Sequence, residues 1–316
     1  MAQSVTEASG QPQRRGPLQS PSMPLSQRPL PLLGRPLVAW RAQAPRLVLG
    51  ALLLTGGLCL SGQVLDRAWC LALQQALGGW PEAWSLLTWS ALGISSLLLV
   101  TCLSDSEPRR VAALLVAMVL GGLVVHMVKR TLQVDRPLAV FGPDHPVFQV
   151  IGEHLRKGSM PSGHTTTAFT VAGLMTWSLR DAVRSGSTVR DKLARLANGA
   201  ACSAWWLLAA LQGLSRVMVG AHWPSDVLAG AGLGLILAPV VWHLGMTQRL
   251  ADWLSRTAVR PWVGGALPVL AVLLCLLDLG TPLPMAWCAA VVTLGLLGAW
   301  RWGRIPPAAP APEPLS

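Results

Sequence analysis

The chain of 316 residues is 52% hydrophobic and only 12% charged, whereas about a quarter of the residues in a soluble domain are charged. A mean hydropathy of +0.48 excludes an ordinary water-soluble globule. The net charge of +11 invites comparison with nucleic-acid binders, but the basic residues lie between apolar runs, as membrane orientation requires, and that excludes nucleic acid as a partner.

Residues 1–46 are rich in Pro, Ser, Gln and Arg and show no apolar core of a secretory signal. They hold too little apolar surface to offset their ordering entropy and are expected to form a disordered cytoplasmic tail. Spanning a hydrocarbon core of about 30 Å takes roughly 17–25 apolar residues in a helix. Eight segments qualify, at 47–65, 83–103, 111–128, 161–179, 197–214, 227–247, 263–279 and 284–300. The last two are short and carry Pro268 and Asp278. Between the first two spans, Ala68, Trp69, Ala72, Leu73, Ala76 and Leu77 recur at helical spacing, which predicts a short amphipathic helix lying in the membrane interface. The Pro/Ala-rich end, residues 306–316, reads as a second disordered tail. Five of the six cysteines, Cys59, Cys70, Cys102, Cys202, Cys275 and Cys288, fall in apolar runs, and none forms a C-x2-C pair. They are expected to be small buried hydrophobes, not a disulfide framework or a zinc site.

With the N-terminus inside, 18 of the 25 Lys and Arg residues fall in inner segments. The positive-inside rule therefore places both termini in the cytoplasm. Trp80, Trp177, Trp253 and Trp302 lie near span ends, as an interfacial belt would. Arg outnumbers Lys 22 to 3, which fits a GC-rich bacterial genome, so the expected location is a bacterial inner membrane.

Three motifs then fall together at outer helix ends. K-x6-R-P is Lys129, Arg136 and Pro137; P-S-G-H is Pro161 to His164; S-R-x5-H-x3-D is Ser215, Arg216, His222 and Asp226. Lys129 and Arg216 end outward-running spans, where cations are favoured. Pro161 and Pro224 open inward-running spans, in the first turn, where the missing N–H is no loss. Free N–H groups around Ser162, Gly163 and His164 are then available to an anion, and Gly163 lets phosphate oxygens approach the backbone. With Lys129, Arg136 and Arg216 they would neutralise a phosphoryl group without a metal or other cofactor. Asp226 is placed to hold one ring nitrogen of His222 and free the other for attack on phosphorus. His164 is placed to protonate the leaving oxygen and then activate water. Each motif alone is weak: P-S-G-H is also an ordinary helix start and H-x3-D an ordinary structural cap. Their order and shared face select the catalytic reading.

Other polar residues have less to say. His126 is one turn before Lys129 and is expected to face the site or pack against neighbouring helices. His243 reads as interfacial, Asp135 as a screen for Arg136 or a solvated group, and Arg130 as a lipid-headgroup contact. The 138–160 loop, with Glu153 and His154 among its charged residues, is long enough to shape headgroup choice and equally consistent with a solvated connection.

These residues resemble the type 2 phosphatidic acid phosphatase (lipid phosphate phosphatase) family, whose three-part signature is matched at Lys129, Arg136 and Pro137, at Pro161 to His164, and at Ser215, Arg216, His222 and Asp226. The resemblance covers roughly residues 47–247. It implies an all-α polytopic membrane bundle with a six-span phosphatase core at 47–248; the two additional spans at 249–305 depart from that core and, like the two tails, are read from the sequence alone. It also implies a lipid phosphate or diphosphate substrate with His222 as nucleophile. The distribution of Lys and Arg puts the motifs at the outer face, and no obligate protein partner beyond membrane lipids is expected. The alternatives from other classes are a lipid phosphotransferase using the same site and a non-catalytic lipid-phosphate binding or transport protein. Intact His164, His222 and Asp226 argue against the last, because binding alone needs cations and no nucleophile.

Overall fold

A computed structural model describes residues 35–177, 189–277 and 283–304, and all regular structure among them is helical. The chain divides into two compact units, 1–42 and 43–316. Of the first, only residues 35–42 are described, the opening turns of α1 (Arg35–Leu60). Then follow α2 (Val64–Leu77), α3 (Pro81–Ser90), α4 (Gly93–Leu103), α5 (Pro108–Leu132), α6 (Pro137–Phe141), α7 (Gly163–Met175), α8 (Val189–Met218), α9 (Pro224–His243), α10 (Gly245–Leu254), α11 (Arg260–Leu276) and α12 (Met285–Gly303). Proline opens α3, α5, α6 and α9, where its fixed φ suits the first turn.

The expected all-α membrane bundle is borne out. Leu52, Val119, Leu123, Met127, Val269 and Leu296 are all more than half exposed, as side chains facing lipid would be. Inside the bundle α7 lies against α9 and α8, α5 against α7 and α9, and α11 and α12 pair as a hairpin resting on α4. A methyl group added at Gly230 would sit 2.6 Å from the Ser162 carbonyl, and one at Gly234 would sit 2.6 Å from that of Thr166. Absent side chains there let α7 and α9 touch backbone to backbone, bringing His164 and Asp226 to the same end of the bundle.

Several expectations need correcting. Four helices are long and apolar enough to cross a membrane: Trp40–Leu60, Pro108–Phe141, Pro224–His243 and Met285–Gly303. A fifth crossing requires α3 and α4 together, and these meet at 67°. The 83–103 span is therefore not one continuous helix. Leu92 adopts an extended backbone, while the Ser90 hydroxyl donates to the Leu87 carbonyl at 2.8 Å and accepts from Gln212 Nε2, a local competition that bends helices. The spans expected at 161–179 and 263–279 run past the described residues at 178–179 and 278–279; their described helices, α7 and α11, have 13 and 17 residues. The span expected at 197–214 lies within the 30-residue α8.

The disordered-tail expectation falls outside the described residues up to 34; from Arg35 the chain is helical. Helix α2 forms as the amphipathic helix expected. Asp66, Cys70 and Gln74, one turn apart, are buried, whereas Trp69 and Leu77 are exposed. The surroundings outside are lipid, so the apolar stripe faces out and the polar stripe faces protein. His126 is exposed, neither packed nor facing the site. Trp302 is fully buried, its Nε1 donating to the Thr101 carbonyl at 2.7 Å, and so is no belt residue. Cys70 and Cys102 are buried as expected, but Cys59 is exposed. His243 ends α9, its ring edge-on to Trp177 at 5.5 Å.

Candidate active site

The third motif is shaped by the way α8 ends. The Gly220 N–H bonds the Val217 carbonyl and the Ala221 N–H bonds the Arg216 carbonyl, the paired closure of a helix C-terminus that needs a left-handed residue between them. Gly220 supplies it at φ +72°, and a methyl group there would lie 2.4 Å from the Gln149 carbonyl. The turn folds His222 back over Arg216, whose carbonyl also accepts the His222 N–H at 3.1 Å. Pro224 then starts α9, and Asp226 falls in its first turn.

His222 is 2% exposed, and its Nδ1 lies 3.3 Å from Asp226 Oδ2. That oxygen also accepts the Trp223 N–H at 2.9 Å and the Ser159 hydroxyl. With Nδ1–H pointing at a carboxylate, Nε2 carries the free lone pair. Burial, then the fields of Arg136, Lys129, Arg216 and His164, push His222 well below its ordinary 6.5. These surroundings favour the neutral ring.

The two cations of the first motif are tied to the loop that returns to α7. Lys129 Nζ donates to the Gly158 carbonyl at 2.8 Å. Arg136 donates from Nε to the Lys157 carbonyl at 3.1 Å and from one terminal nitrogen to that of Ala221 at 2.8 Å. Ala221 precedes His222, so Arg136 physically joins the first motif to the third. Arg216 differs from both. It is 8% exposed, and its Nε has no hydrogen-bond partner among the described residues.

Arg216 lines a cavity of about 120 Å³ with His164, Glu153, Ala221, Thr88 and Trp89. His164 occupies the first turn of α7. Ser162 plays a narrower part than expected. Its hydroxyl accepts from the Thr165 N–H and its own N–H bonds the Asp226 carbonyl at 3.0 Å, so it caps α7 and fastens it to α9. The N–H groups left for an anion at that end are those of Gly163 and His164. Gly163 borders a second, apolar cavity of about 240 Å³ shared with Val125 and Thr166. Ser215 is buried and structural, accepting from Thr88 and donating to the Gln212 carbonyl.

The 138–160 loop is folded, not merely solvated. Phe141 meets His145, Phe148 and Trp223 at 5.1, 5.1 and 5.3 Å. His145 Nδ1 accepts the Phe148 N–H at 3.0 Å. Three supporting residues went unread in the sequence: Ser159 on Asp226; Gln74, whose Nε2 donates to the Val217 and Gln149 carbonyls at 3.0 Å; and Asp66, which accepts from Ser225. Their partners lie 67 to 159 positions away, and no local pattern announces such contacts.

An all-helical membrane bundle that brings Arg216 and His164 to one cavity, with the His222–Asp226 pair, Lys129 and Arg136 at the same end, has the make-up of a membrane phosphatase, and comparison with known proteins gives the family. Residues 110–250 match the model of the PAP2 superfamily. A lipid A 1-phosphatase of Rhizobium johnstonii is 30% identical over 226 residues, 70% of this chain and 78% of that protein. One from Rhizobium etli is 32% identical over 146 residues, 44% and 54% of the two chains. Escherichia coli YbjG, provisionally named an undecaprenyl-diphosphatase, is 33% identical over 125 residues, 36% of this chain and 54% of that one. The matches to the last two thus span about half the length of those relatives. The crystal structure of Aquifex aeolicus LpxE aligns over 62% of this chain and 93% of its own, at 20% identity and a TM-score of 0.27, too low to carry an argument. The chain belongs to the PAP2 superfamily, and the phosphatase family expected from its motifs is borne out.

Proposed function

We propose that the chain hydrolyses a lipid phosphate or diphosphate at the outer face of a bacterial inner membrane, through a phosphohistidine on His222. The observation that carries this reading is the buried guanidinium of Arg216, unpartnered at Nε, in one cavity with His164 and beside the His222–Asp226 pair. A buried guanidinium N–H with no acceptor is costly unless a ligand supplies one, and Glu153 is the carboxylate that shares the cavity with it. Relatives that carry the names lipid A 1-phosphatase and undecaprenyl-diphosphatase support a lipid phosphate or diphosphate as the substrate class.

His222 Nε2 attacks phosphorus in line while the bond to the lipid oxygen breaks, and His164 gives that oxygen its proton. His164 then takes a proton from water, whose oxygen displaces His222 and releases inorganic phosphate. Asp226 holds the ring and balances the charge that develops on it. Arg216, Lys129 and the Gly163 and His164 N–H groups stabilise the equatorial oxygens. Arg136 contributes mainly through its grip on the carbonyls at 157 and 221.

The test is phosphate release by detergent-purified protein from a panel of lipid phosphates and diphosphates, in excess EDTA, with and without vanadate. Turnover in EDTA and inhibition by vanadate are expected, because five-coordinate vanadate imitates the in-line transition state. His222→Ala should be inactive. Retention of more than about a tenth of the wild-type rate, a loss of only about 1.4 kcal/mol, would reject the assignment.

A further inference from the structure

At the start of helix α9 the N-cap residue, Trp223, offers no side-chain cap: its N–H is taken by Asp226 Oδ2 from within the first turn, and its indole N–H donates to the Asp135 carbonyl at 2.7 Å. The oxygen that meets the orphaned second N–H of the helix comes from another element. Asp66 on α2, 1% exposed, accepts the Ser225 N–H on Oδ1 at 2.9 Å and the Ser225 hydroxyl on Oδ2 at 2.5 Å.

We infer that Asp66 is a positioning residue for the His222–Asp226 pair, setting the rotation of the first turn of α9 and holding a negative charge behind it. This rests on the phosphatase reading of the site. Ser225 and Asp226 are consecutive, so the bonds that fix one fix where the other's carboxylate points. Asp66 forms no ion pair with a cation among the described residues, and burial raises its carboxyl above the usual range despite the two Ser225 bonds. A helix that merely needed stabilising would be served more cheaply by Ser or Asp at its own N-cap. The trans arrangement leaves Trp223 free to pack on Phe141 and brings a buried charge within electrostatic range of Asp226. Asp226 is also faced by Lys129 from α5, Arg136 from the turn before α6, and His222 from its own turn, while Arg216 and His164 complete the field on that histidine.

The measurement is kcat, KM and the pH profile of Asp66→Asn and Ser225→Ala beside wild type and His222→Ala. Asn removes the charge and puts an amide donor against a donor. We expect kcat to fall at least tenfold with KM within twofold, and the acid limb of kcat/KM to move to lower pH, because a charge favouring protonation of the pair has gone. Ser225→Ala keeps the charge, so a threefold or greater fall in kcat with the acid limb unmoved is expected. An inactive His222→Ala with wild-type kinetics in Asp66→Asn would overturn the positioning role and leave the phosphatase reading intact; an active His222→Ala would overturn the reading itself. Lower yield and lower Tm of Asp66→Asn with an unmoved pH profile would assign Asp66 to stability alone and also overturn the proposal. If Asp66→Asn does not fold, Ser225→Ala decides, and wild-type kcat there overturns it.

Discussion

His222 shows how one side chain is tuned by what surrounds it. Removed from water and ringed by Arg136, Lys129 and Arg216, it holds a proton less readily than a free imidazole. The sign is direct: a lowered value keeps the ring unprotonated as pH falls through 6.5, so nucleophilic capacity persists there. Once the second ionisation of the substrate has been measured and divided out, the acid limb of kcat/KM should lie below pH 6.5. A limb at or above 6.5 would show that the cations do not act on the nucleophile as the geometry requires. The unfolded chain binds protons more readily than the folded one below 6.5, so this residue also lowers stability with acid. The side chains of the candidate site were legible because their chemistry is unusual in an apolar sequence. Asp66, Gln74 and Ser159 were not, since an isolated Asp, Gln or Ser has many ordinary uses and only the folded contact selects one.

At the scale of elements, the motifs work because turns aim them. Gly220 is required twice over, by its left-handed φ and by the Gln149 carbonyl 2.4 Å from any added methyl. Gly220→Ala should cost about 1–2 kcal/mol from the left-handed conformation alone, and more from the collision. Denaturant or thermal unfolding in detergent would read the first effect and kcat the second, with a fall of at least tenfold expected as His222 shifts off Arg216. A variant with wild-type kcat would show that the turn does not aim the histidine. The start of α9 was legible from Pro224, whereas Pro161, expected in the first turn of α7, lies before its Ser162 N-cap. The amphipathic stripe of α2 was legible too, but the partners of its buried polar face were not, because they lie far off in the chain. The break at Ala91–Leu92 was also hidden, since no proline marks it and the run stays apolar throughout.

For the whole molecule, the distribution of Lys and Arg predicts which side each loop meets. Asp144, exposed in the folded loop over the site, and Gln248, exposed on α10, are convenient reporters. After replacement of the native cysteines, Asp144→Cys should react with an impermeant thiol reagent in intact cells and Gln248→Cys should not. Labelling of both from the same side would overturn the orientation and move the chemistry to the other leaflet.

The C-terminal hairpin has no reaction of its own to explain it, yet its side chains finish another helix. At the end of α4, the Thr101 carbonyl receives the Trp302 indole N–H and the Asp105 carbonyl receives Arg260 at 2.9 Å, while the Asp105 carboxylate meets Arg301 at 2.6 Å. The terminal carbonyls of a helix have no partner within it and need one from elsewhere, above all where little water reaches them. Cutting the chain back to residue 248 would remove those contacts from the helix that follows α3, whose Thr88 and Trp89 line the cavity beside Arg216. The last two helices are thus packed as part of the scaffold behind the candidate site.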